Sequence, residues 1–303
     1  MELNYINQYK KSIDVVSPGS FQGLAIELGS CVSETLTYCM SDEFLEIINQ
    51  NNRISSVIID KNVYQSFSGG QKLRGNLGVA ISDNAREDFF RFHNFLARNT
   101  AFYASDSGYV IGKKCSISEK ASVSKVNVQI GDSVVIEDFV KICSNVTIGD
   151  NTVIRAGSII GNEGFQFLAC EGGILQVDHV GGVCIGKNVE IQSNCCVDRH
   201  IFNDVSIIGD ETKMDNFVHI GHGSKVGERC RLAAKVMVSG STAIGNDVFI
   251  GPGSSISSLL RIGDNAFVTI GSVVTTNVEN GERVSGNFAI GHERFIDHIK
   301  SIR

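Results

Sequence analysis

The stretch IGHGSK VGERCR LAAKVM VSGSTA IGNDVF I, residues 220–250, carries an aliphatic side chain at every sixth position. The spacing continues to Val274, and an earlier run from Ile130 to Ile160 repeats it. Neither the helix period of 3.6 nor the strand period of 2 produces this pattern, which is typical of a β-solenoid. Glycines followed by Asp, Asn, Lys or Glu suit its sharp corners. We therefore predict a mainly β chain whose residues 106–286 form a left-handed parallel β-helix of hexapeptide repeats, eighteen residues per coil.

Residues 1–105 have a different pattern and predict a small α/β domain. The apolar runs 57–59 and 79–81 indicate buried strands, and residues 42–49 and 84–96 have helical spacing, the second helix capped by Ser82 or Asp83. Residues 287–303 predict a short C-terminal helical tail.

The six-residue register breaks twice within the solenoid. Between Ile160 and Ile185 the spacing is not a multiple of six, so residues 162–182 are predicted to leave the coil as a loop. A one-residue slip is predicted across Asp198, Arg199 and His200. Irregularities in a regular scaffold cost stability and tend to cluster where function needs them.

Composition excludes several classes of protein. The net charge of −6 argues against nucleic-acid binding. The nine cysteines form no CxxC pair, which argues against a zinc knuckle and for buried thiols in a reducing compartment. The N-terminus lacks the apolar run of a signal peptide and no stretch is long enough to cross a membrane, so we expect a cytoplasmic protein.

Two residues one coil apart form the candidate catalytic site. A β-helix has flat faces, so its sites are expected in clefts between the subunits of a closed homotrimer. His222 lies at a corner beside the inward-pointing Ile220, and Gly240 follows eighteen residues later. A neutral His222 imidazole suits a general base that takes a proton from an attacking amine, and the Gly240 backbone N–H suits an oxyanion donor. His219 faces outward along the same wall.

Several motifs resemble one family. Residues 23–290 resemble the UDP-3-O-acylglucosamine N-acyltransferases of lipid A and lipopolysaccharide biosynthesis, usually called LpxD. The similar segments are Asn162-Glu163-Gly164-Phe165, Cys196-Val197-Asp198-Arg199, and Lys213-Met214-Asp215-Asn216 through to His222. The resemblance implies His222 as the base and Gly240 as the oxyanion donor, with substrate contacts from Phe165, Asp215, Asn216 and His219.

The resemblance also implies a nucleotide site in the first domain and a thioester donor. Tyr38 and Phe44 would flank the uracil ring of a UDP-linked sugar and Ser41 would hydrogen-bond it, although both rings suit core positions equally well. The acyl group, a 3-hydroxyacyl group in this family, would come from acyl carrier protein or from coenzyme A. Neither a metal nor another cofactor is implied.

Three alternatives remain open from the sequence. A paralogue would use acyl-CoA and a short acyl group on a different nucleotide amino sugar for surface polysaccharide synthesis. A zinc enzyme like the γ-carbonic anhydrases would bind its metal through His200, His219 and His222. A non-catalytic binding or scaffolding trimer would have kept the nucleotide domain without performing catalysis.

Overall fold

The computed structural model describes residues 1–26, 34–68, 73–286 and 291–302, and the chain in it forms two compact units. Each unit is assembled from three stretches of chain. The first contains Met1–Ser105, Phe165–Gly181 and His200–Asp204. The second contains Asp106–Gly164, Gly182–Arg199 and Val205–Arg303.

The first unit is built on a five-stranded sheet. Its strands are β1 (Asp14–Ser17), β2 (Gly23–Leu24), β3 (Thr35–Cys39), β4 (Ile54–Asp60) and β5 (Gly78–Ser82), in the order β1-β5-β4-β3-β2. A short 3-10 helix, Leu3–Tyr5, precedes the helices α1 (Ile6–Tyr9), α2 (Asp42–Gln50), α3 (Lys61–Ser68) and α4 (Ala85–Asn99). Strands β2 to β5 are mutually parallel, with α2 in the crossover from β3 to β4 and α3 in the crossover from β4 to β5, and β1 runs antiparallel to β5.

Asn84 is the N-cap of α4, so the predicted cap at Ser82 or Asp83 is wrong by one or two residues. The Asn84 side-chain oxygen accepts the Glu87 backbone N–H. The Ser82 hydroxyl instead accepts the Asn84 backbone N–H and donates to the buried Asp88 carboxylate. Ser82 thus fixes the turn before the helix.

The two later stretches of the first unit complete its core. Residues 165–181 contain a hairpin of the antiparallel strands Phe167–Cys170 and Gly173–Gln176. Leu168 and Val177 are buried in the same cluster as the α4 aromatics. Phe202 stacks on Phe90 with ring centroids 6.4 Å apart. Both irregularities of the solenoid therefore supply core side chains to the first unit.

The second unit is a left-handed β-helix whose strands form three parallel sheets, one on each face of a prism. The first face contains Tyr109–Ile111, Val128–Ile130, Val146–Ile148, Gly182–Ile185, Val205–Ile208, Lys225–Val226, Ala243–Ile244 and Arg261–Ile262. The second contains Ser116–Ile117, Val135–Ile136, Val153–Ile154, Glu190–Ile191, Lys213–Met214, Arg231–Leu232, Phe249–Ile250, Phe267–Val268 and Arg283–Val284. The third contains Ser122–Val123, Lys141–Ile142, Ile159–Asn162, Cys196–Asp198, His219–Ile220, Met237–Val238, Ser255–Ile256 and Val273–Val274.

The predicted six-residue pattern of inward side chains is confirmed. The aliphatic residues of both runs, 130–160 and 220–274, are all buried in one continuous core. In regular coils equivalent residues pair eighteen positions apart, as Ile220 does with Val238. Branched side chains fill this interior because their stiff rotamers suit a flat pleated surface.

Three coils are longer than eighteen residues, the first of them by a single residue, since Tyr109 pairs with Val128. Ile148 pairs with Ile185, because the third-face strand ends at Asn162 and the next first-face strand begins only at Gly182. Val197 pairs with Ile220, and the extra length lies at residues 200–204, which cluster with the first unit. The predicted one-residue slip is therefore an excursion of five residues, since a hexapeptide plus five gives the observed spacing of eleven.

Close backbone stacking explains the glycines at one corner of the prism. A Cβ added at Gly227 would lie 2.5 Å from the carbonyl oxygen of Gly245, one coil on. Beside this column a side-chain oxygen accepts a backbone N–H from the preceding coil, as Asn246 does from Glu228 and Asp264 from Asn246. At this corner the glycine is required because a side chain would not fit, and the following Asp or Asn is required as a hydrogen-bond acceptor.

The described cysteines are all free thiols, and Cys31 lies outside the described residues. Cys195 and Cys230 are buried at corner positions, where Cys230 Sγ contacts the Gly245 carbonyl oxygen at 3.0 Å. At equivalent corners Thr212 and Thr242 donate their hydroxyls to carbonyls of a neighbouring coil. The last helix, α5 (His292–Ser301), buries none of its side chains, and among the described helices none has the length and apolarity to cross a membrane.

Candidate functional site

His222 lies against Gly240 of the next coil. The strand His219–Ile220 of the third face ends at the turn that carries His222, and Ile220 pairs with Val238. A Cβ added at Gly240 would lie 2.6 Å from His222 Nε2 and 2.8 Å from Cε1. The Ser241 backbone N–H donates to the His222 carbonyl oxygen at 2.8 Å. The imidazole therefore packs over the glycine backbone, in space that a side chain would take.

A buried carboxylate lies on the other side of the imidazole. The position of a Cβ at Gly164 would be 2.7 Å from His222 Nδ1 and 3.2 Å from Asp198 Oδ2. Asp198 is only 4% exposed, and its Oδ2 lies 3.5 Å from His219 Nε2. Glycines thus border the His222 ring near both nitrogens. The Asp198 carboxylate lies close to both His219 and His222.

The electrostatics of this cluster are dominated by burial. Burial raises the pKa of the Asp198 carboxyl above its usual value, although the nearby His219 and a hydrogen bond from Cys196 act in the opposite direction. The Cys196 thiol contacts Asp198 Oδ1 at 3.4 Å, and burial followed by the Asp198 charge raises its pKa to about 12. The thiol is therefore protonated at neutral pH and serves as a weak donor to the carboxylate.

Arg199 holds the irregular coil in place rather than pairing with Asp198. Its Nε donates to the Gly161 carbonyl oxygen at 2.6 Å, and its Nη2 lies 3.3 Å from the Ser144 carbonyl oxygen. The Arg199 backbone N–H donates to the Asn162 carbonyl oxygen. These bonds tie the two ends of the coil together where the chain departs and returns.

Asp215 and Asn216 are placed one corner earlier than His219. Asp215 is exposed beside the second face and borders a shallow depression with Arg231 and Phe249. Its carboxylate accepts the backbone and side-chain N–H groups of Asn216. Asn216 in turn accepts the Ser193 backbone N–H, so it acts as a structural corner residue. The contacts of Asp215 and Asn216 therefore lie outside the cluster around His222.

The predicted nucleotide-binding residues belong to the first unit. The Tyr38 ring packs on Phe89 with centroids 5.2 Å apart, whereas Phe44 packs against the core that contains Leu45 and Ile48. Their rings thus join different cores. Ser41 caps α2 by accepting the Phe44 backbone N–H at 3.3 Å. All three residues keep exposed or half-exposed surface.

Phe165 is 85% exposed and contacts the Phe167 ring, with centroids 4.8 Å apart. Both residues belong to the hairpin segment of the first unit. Phe165 thus presents an apolar side chain to solvent. Packing within its own unit does not account for this exposed ring, which is consistent with a binding role.

The three-histidine zinc arrangement is not formed. His200 belongs to the first unit, where its Nδ1 accepts the Phe202 backbone N–H. Within the described ranges, the side chains grouped closely enough to hold a metal are Cys196, Asp198 and His219. Neither His200 nor His222 joins that group.

Asp198 and Gly164 are functional candidates that the sequence analysis names only as members of motifs, without individual roles. Both lie beside the register breaks, so the breaks were the available signal. Burial of a carboxylate cannot be read from a hexapeptide count, because Asp198 lies where the count fails.

Comparisons with known proteins agree with this fold. Residues 127–162 match the family model of the bacterial transferase hexapeptide (six repeats). The fold resembles the solved structure of UDP-N-acetylglucosamine acyltransferase from Campylobacter jejuni, with a TM-score of 0.51 and 20% identity over 65% of this chain and 80% of that one. Fold and repeats define a left-handed β-helix of the hexapeptide class.

Curated relatives make the resemblance more specific. One is UDP-3-O-acylglucosamine N-acyltransferase 2 of Legionella pneumophila, 37% identical over 159 residues, which is 52% of this chain and 46% of that protein. Another is UDP-3-O-acylglucosamine N-acyltransferase of Caulobacter vibrioides, 44% identical over 95 residues, 31% of this chain and 28% of that protein. The predicted family resemblance is confirmed, and the matched part spans less than half the length of these relatives.

Proposed function

We propose that the protein is an N-acyltransferase that moves an acyl group from a thioester to the amine of a nucleotide-linked amino sugar. The observation that carries this proposal is the His222 imidazole packed over Gly240 and bordered by Gly164 and Asp198. Relatives named for N-acyl transfer to UDP-3-O-acylglucosamine support the substrate class.

In the proposed reaction the amine nitrogen attacks the thioester carbonyl while His222 accepts the amine proton. The carbon–nitrogen bond forms, and the carbonyl oxygen becomes an oxyanion that the Gly240 backbone N–H stabilises. Collapse of the tetrahedral intermediate breaks the carbon–sulfur bond, and the proton on His222 passes to the leaving thiolate. A general base at this position contributes about 100- to 10,000-fold to rate.

The proposal includes the assembly and its surroundings. Met237 and Val273, outward residues on the face that carries His219, are 39% and 61% exposed. Burial of this face by neighbouring copies would form a homotrimer with the site in a cleft shared by two chains. We place the enzyme in the cytoplasm, where acyl carrier protein, acyl-CoA and nucleotide sugars are available, and we assign it to lipid A or a related surface-glycan pathway.

The first unit is the proposed uridine-nucleotide site, with Tyr38, Phe44 and Ser41 near the end of β3. Phe44→Ala should raise KM for the nucleotide sugar by about tenfold, because stacking on a base is worth about 1–3 kcal/mol. Ile47→Ala, which removes an exposed apolar side chain from the same helix, should leave KM unchanged. Equal KM values for both variants would contradict the nucleotide assignment.

The decisive experiment incubates the protein with a panel of nucleotide amino sugars and with acyl-carrier-protein and acyl-CoA donors, and identifies products by mass. We expect an N-acylated nucleotide sugar, and His222→Ala should lower its rate of formation about 100- to 10,000-fold. His292→Ala, in the exposed α5 helix, is the matched control and should retain the wild-type rate with acyl-CoA.

Full activity of the His222→Ala variant would remove His222 from the mechanism. A product with another sugar or a short acyl chain would assign the protein to the paralogue branch, whereas absence of any product across the panel would contradict the proposed activity.

A further inference from the structure

Three side chains beside His222 have the composition of a metal site. Cys196 and His219 are direct partners on neighbouring strands of the third face, and Asp198 follows Cys196 by two residues. One ligand atom of each lies within 4.8 Å of the others. The two closest contacts, Cys196 Sγ to Asp198 Oδ1 and His219 Nε2 to Asp198 Oδ2, are 3.4 and 3.5 Å.

The two closest separations, one to each oxygen of Asp198, match those between the ligand atoms of a small tetrahedral ion. Bonds of about 2.0–2.3 Å to nitrogen, oxygen and sulfur place neighbouring ligand atoms roughly 3.3–3.8 Å apart. A thiolate, an imidazole and a carboxylate are the ligand types that zinc accepts, and sulfur disfavours magnesium and calcium. Three protein ligands leave a fourth position open, and the half-exposed His219 provides the side from which an ion enters.

The buried charge of Asp198 supplies the electrostatic reason for a cation. Its neighbours in the cluster are a thiol and an imidazole, and the adjacent Arg199 guanidinium is bonded to the carbonyl oxygens of Gly161 and Ser144. A divalent ion would displace the thiol proton and neutralise the carboxylate.

We propose that Cys196, Asp198 and His219 bind one zinc-class divalent ion per chain, and that the bound ion arrests acyl transfer. The second half of this inference rests on the proposed function. Asp198 Oδ2 and His222 Nδ1 both lie within 3.2 Å of the same point above Gly164. An ion on Asp198 therefore lies beside the imidazole of His222, and it occupies His219, the proposed substrate contact.

The binding test uses the full chain, with cobalt as a spectroscopic substitute for zinc. We expect one equivalent of Co²⁺ to give a thiolate-to-metal charge-transfer band in the near ultraviolet, and Zn²⁺ to remove that band by competition. Cys196→Ser should abolish the band, and His219→Gln should weaken affinity for Zn²⁺ at least about tenfold.

Cys184→Ser is the matched control, because Cys184 is a half-buried outward thiol on the first face and should leave the band intact. Absence of stoichiometric binding, or equal binding by Cys196→Ser and Cys184→Ser, would overturn the site.

The activity test adds Zn²⁺ to a working acyl-transfer assay. We expect the rate to fall more than tenfold at saturating Zn²⁺ and to recover with a chelator, while Cys196→Ser resists inhibition. Stoichiometric zinc with unchanged activity would overturn the arrest. If the chelator-treated protein transferred no acyl group at all, the proposed function would fail while the spectroscopic result still decided the metal site.

Discussion

Gly240 shows how a missing side chain shapes this site, since the space that a methyl group would occupy is filled by the His222 ring. A neighbouring glycine, Gly164, leaves similar space between His222 and Asp198. The imidazole therefore depends on two positions where only hydrogen is tolerated. Substitutions at these glycines would move the base without removing it.

Gly240→Ala should reduce acyl transfer about 100-fold, because displacement of a reacting group by about 1 Å has a cost of that order. The measurement is kcat/KM together with the unfolding midpoint, which separates a displaced imidazole from a misfolded coil. Gly286→Ala is the control, since a Cβ there meets no atom within 4 Å. Wild-type kinetics in the Gly240→Ala variant would show that the imidazole can shift without loss.

Asp198→Asn should be more stable to urea than the wild type at pH 7. The folded protein holds the Asp198 proton more tightly than the unfolded chain, because burial raises the pKa of this carboxyl. Stability therefore falls as the pH rises from the unfolded pKa near 3.9 toward the raised folded value, and the variant escapes that loss. The difference between the two proteins should vanish below about pH 4.

Asp138→Asn provides the opposite case for comparison. Hydrogen bonds from Ser118 and Lys120 lower the pKa of the exposed Asp138 carboxyl, so its contribution to stability is present at neutral pH and lost in acid. A stability gain at pH 7 for Asp138→Asn but not for Asp198→Asn would contradict the assignment of burial as the dominant effect.

At the scale of the hexapeptide, adjacent side chains of one strand have opposite roles. Val274 points into the prism and is 6% exposed, whereas Val273 points outward and is 61% exposed. Val274→Ala should lower the free energy of unfolding by about 1–3 kcal/mol through lost burial and the remaining cavity. Val273→Ala should change it by less than about 0.5 kcal/mol. Denaturant unfolding of both variants checks the pair, and equal losses would contradict the inward register.

The regular coils were predictable because their steric requirement repeats. Each inward position from Ile220 to Val274 faces the same three-sided interior, so a count along the sequence suffices. The same count places Gly240 over His222. The excursion at residues 200–204 is not set by the solenoid interior. Its Phe202 packs into the aromatic core around α4, about one hundred residues earlier in the sequence. A local pattern cannot reveal a partner chosen over such a distance.

Asp198 was harder to assign for a related reason. Its position in the coil can be assigned only when the five additional residues at the break in register have been located. Its burial depends on side chains that surround this irregular coil. The motif resemblance marked the segment without showing that the carboxyl group is buried between His219 and Gly164.

For the whole molecule, the proposed homotrimer depends on the third face of the prism. Met237 lies beside His219 on this face and is partly exposed, so Met237→Glu would place a charge on the proposed contact between copies. Light scattering should give three times 32.7 kDa for the wild type and a smaller mass, with lost activity, for the variant.

Ala243→Glu is the control for assembly. Ala243 lies on the first face between Lys225 and Arg261, where a carboxylate is electrostatically favoured, and this variant should keep the wild-type mass. A monomeric wild-type protein would exclude the shared cleft.

The interleaved path of the chain has a consequence for biosynthesis. The aromatic core around Phe89 and Phe90 includes Leu168, Val177, Ile201 and Phe202. A ribosome that has released only the first 105 residues has therefore delivered an N-terminal unit with part of its core still unsynthesised. That unit can close only after residue 204 has emerged, by which time several coils of the solenoid are already available to fold. Domains usually fold in the order in which they are synthesised. Here the N-terminal unit is expected to complete its core only after several coils of the solenoid have been synthesised.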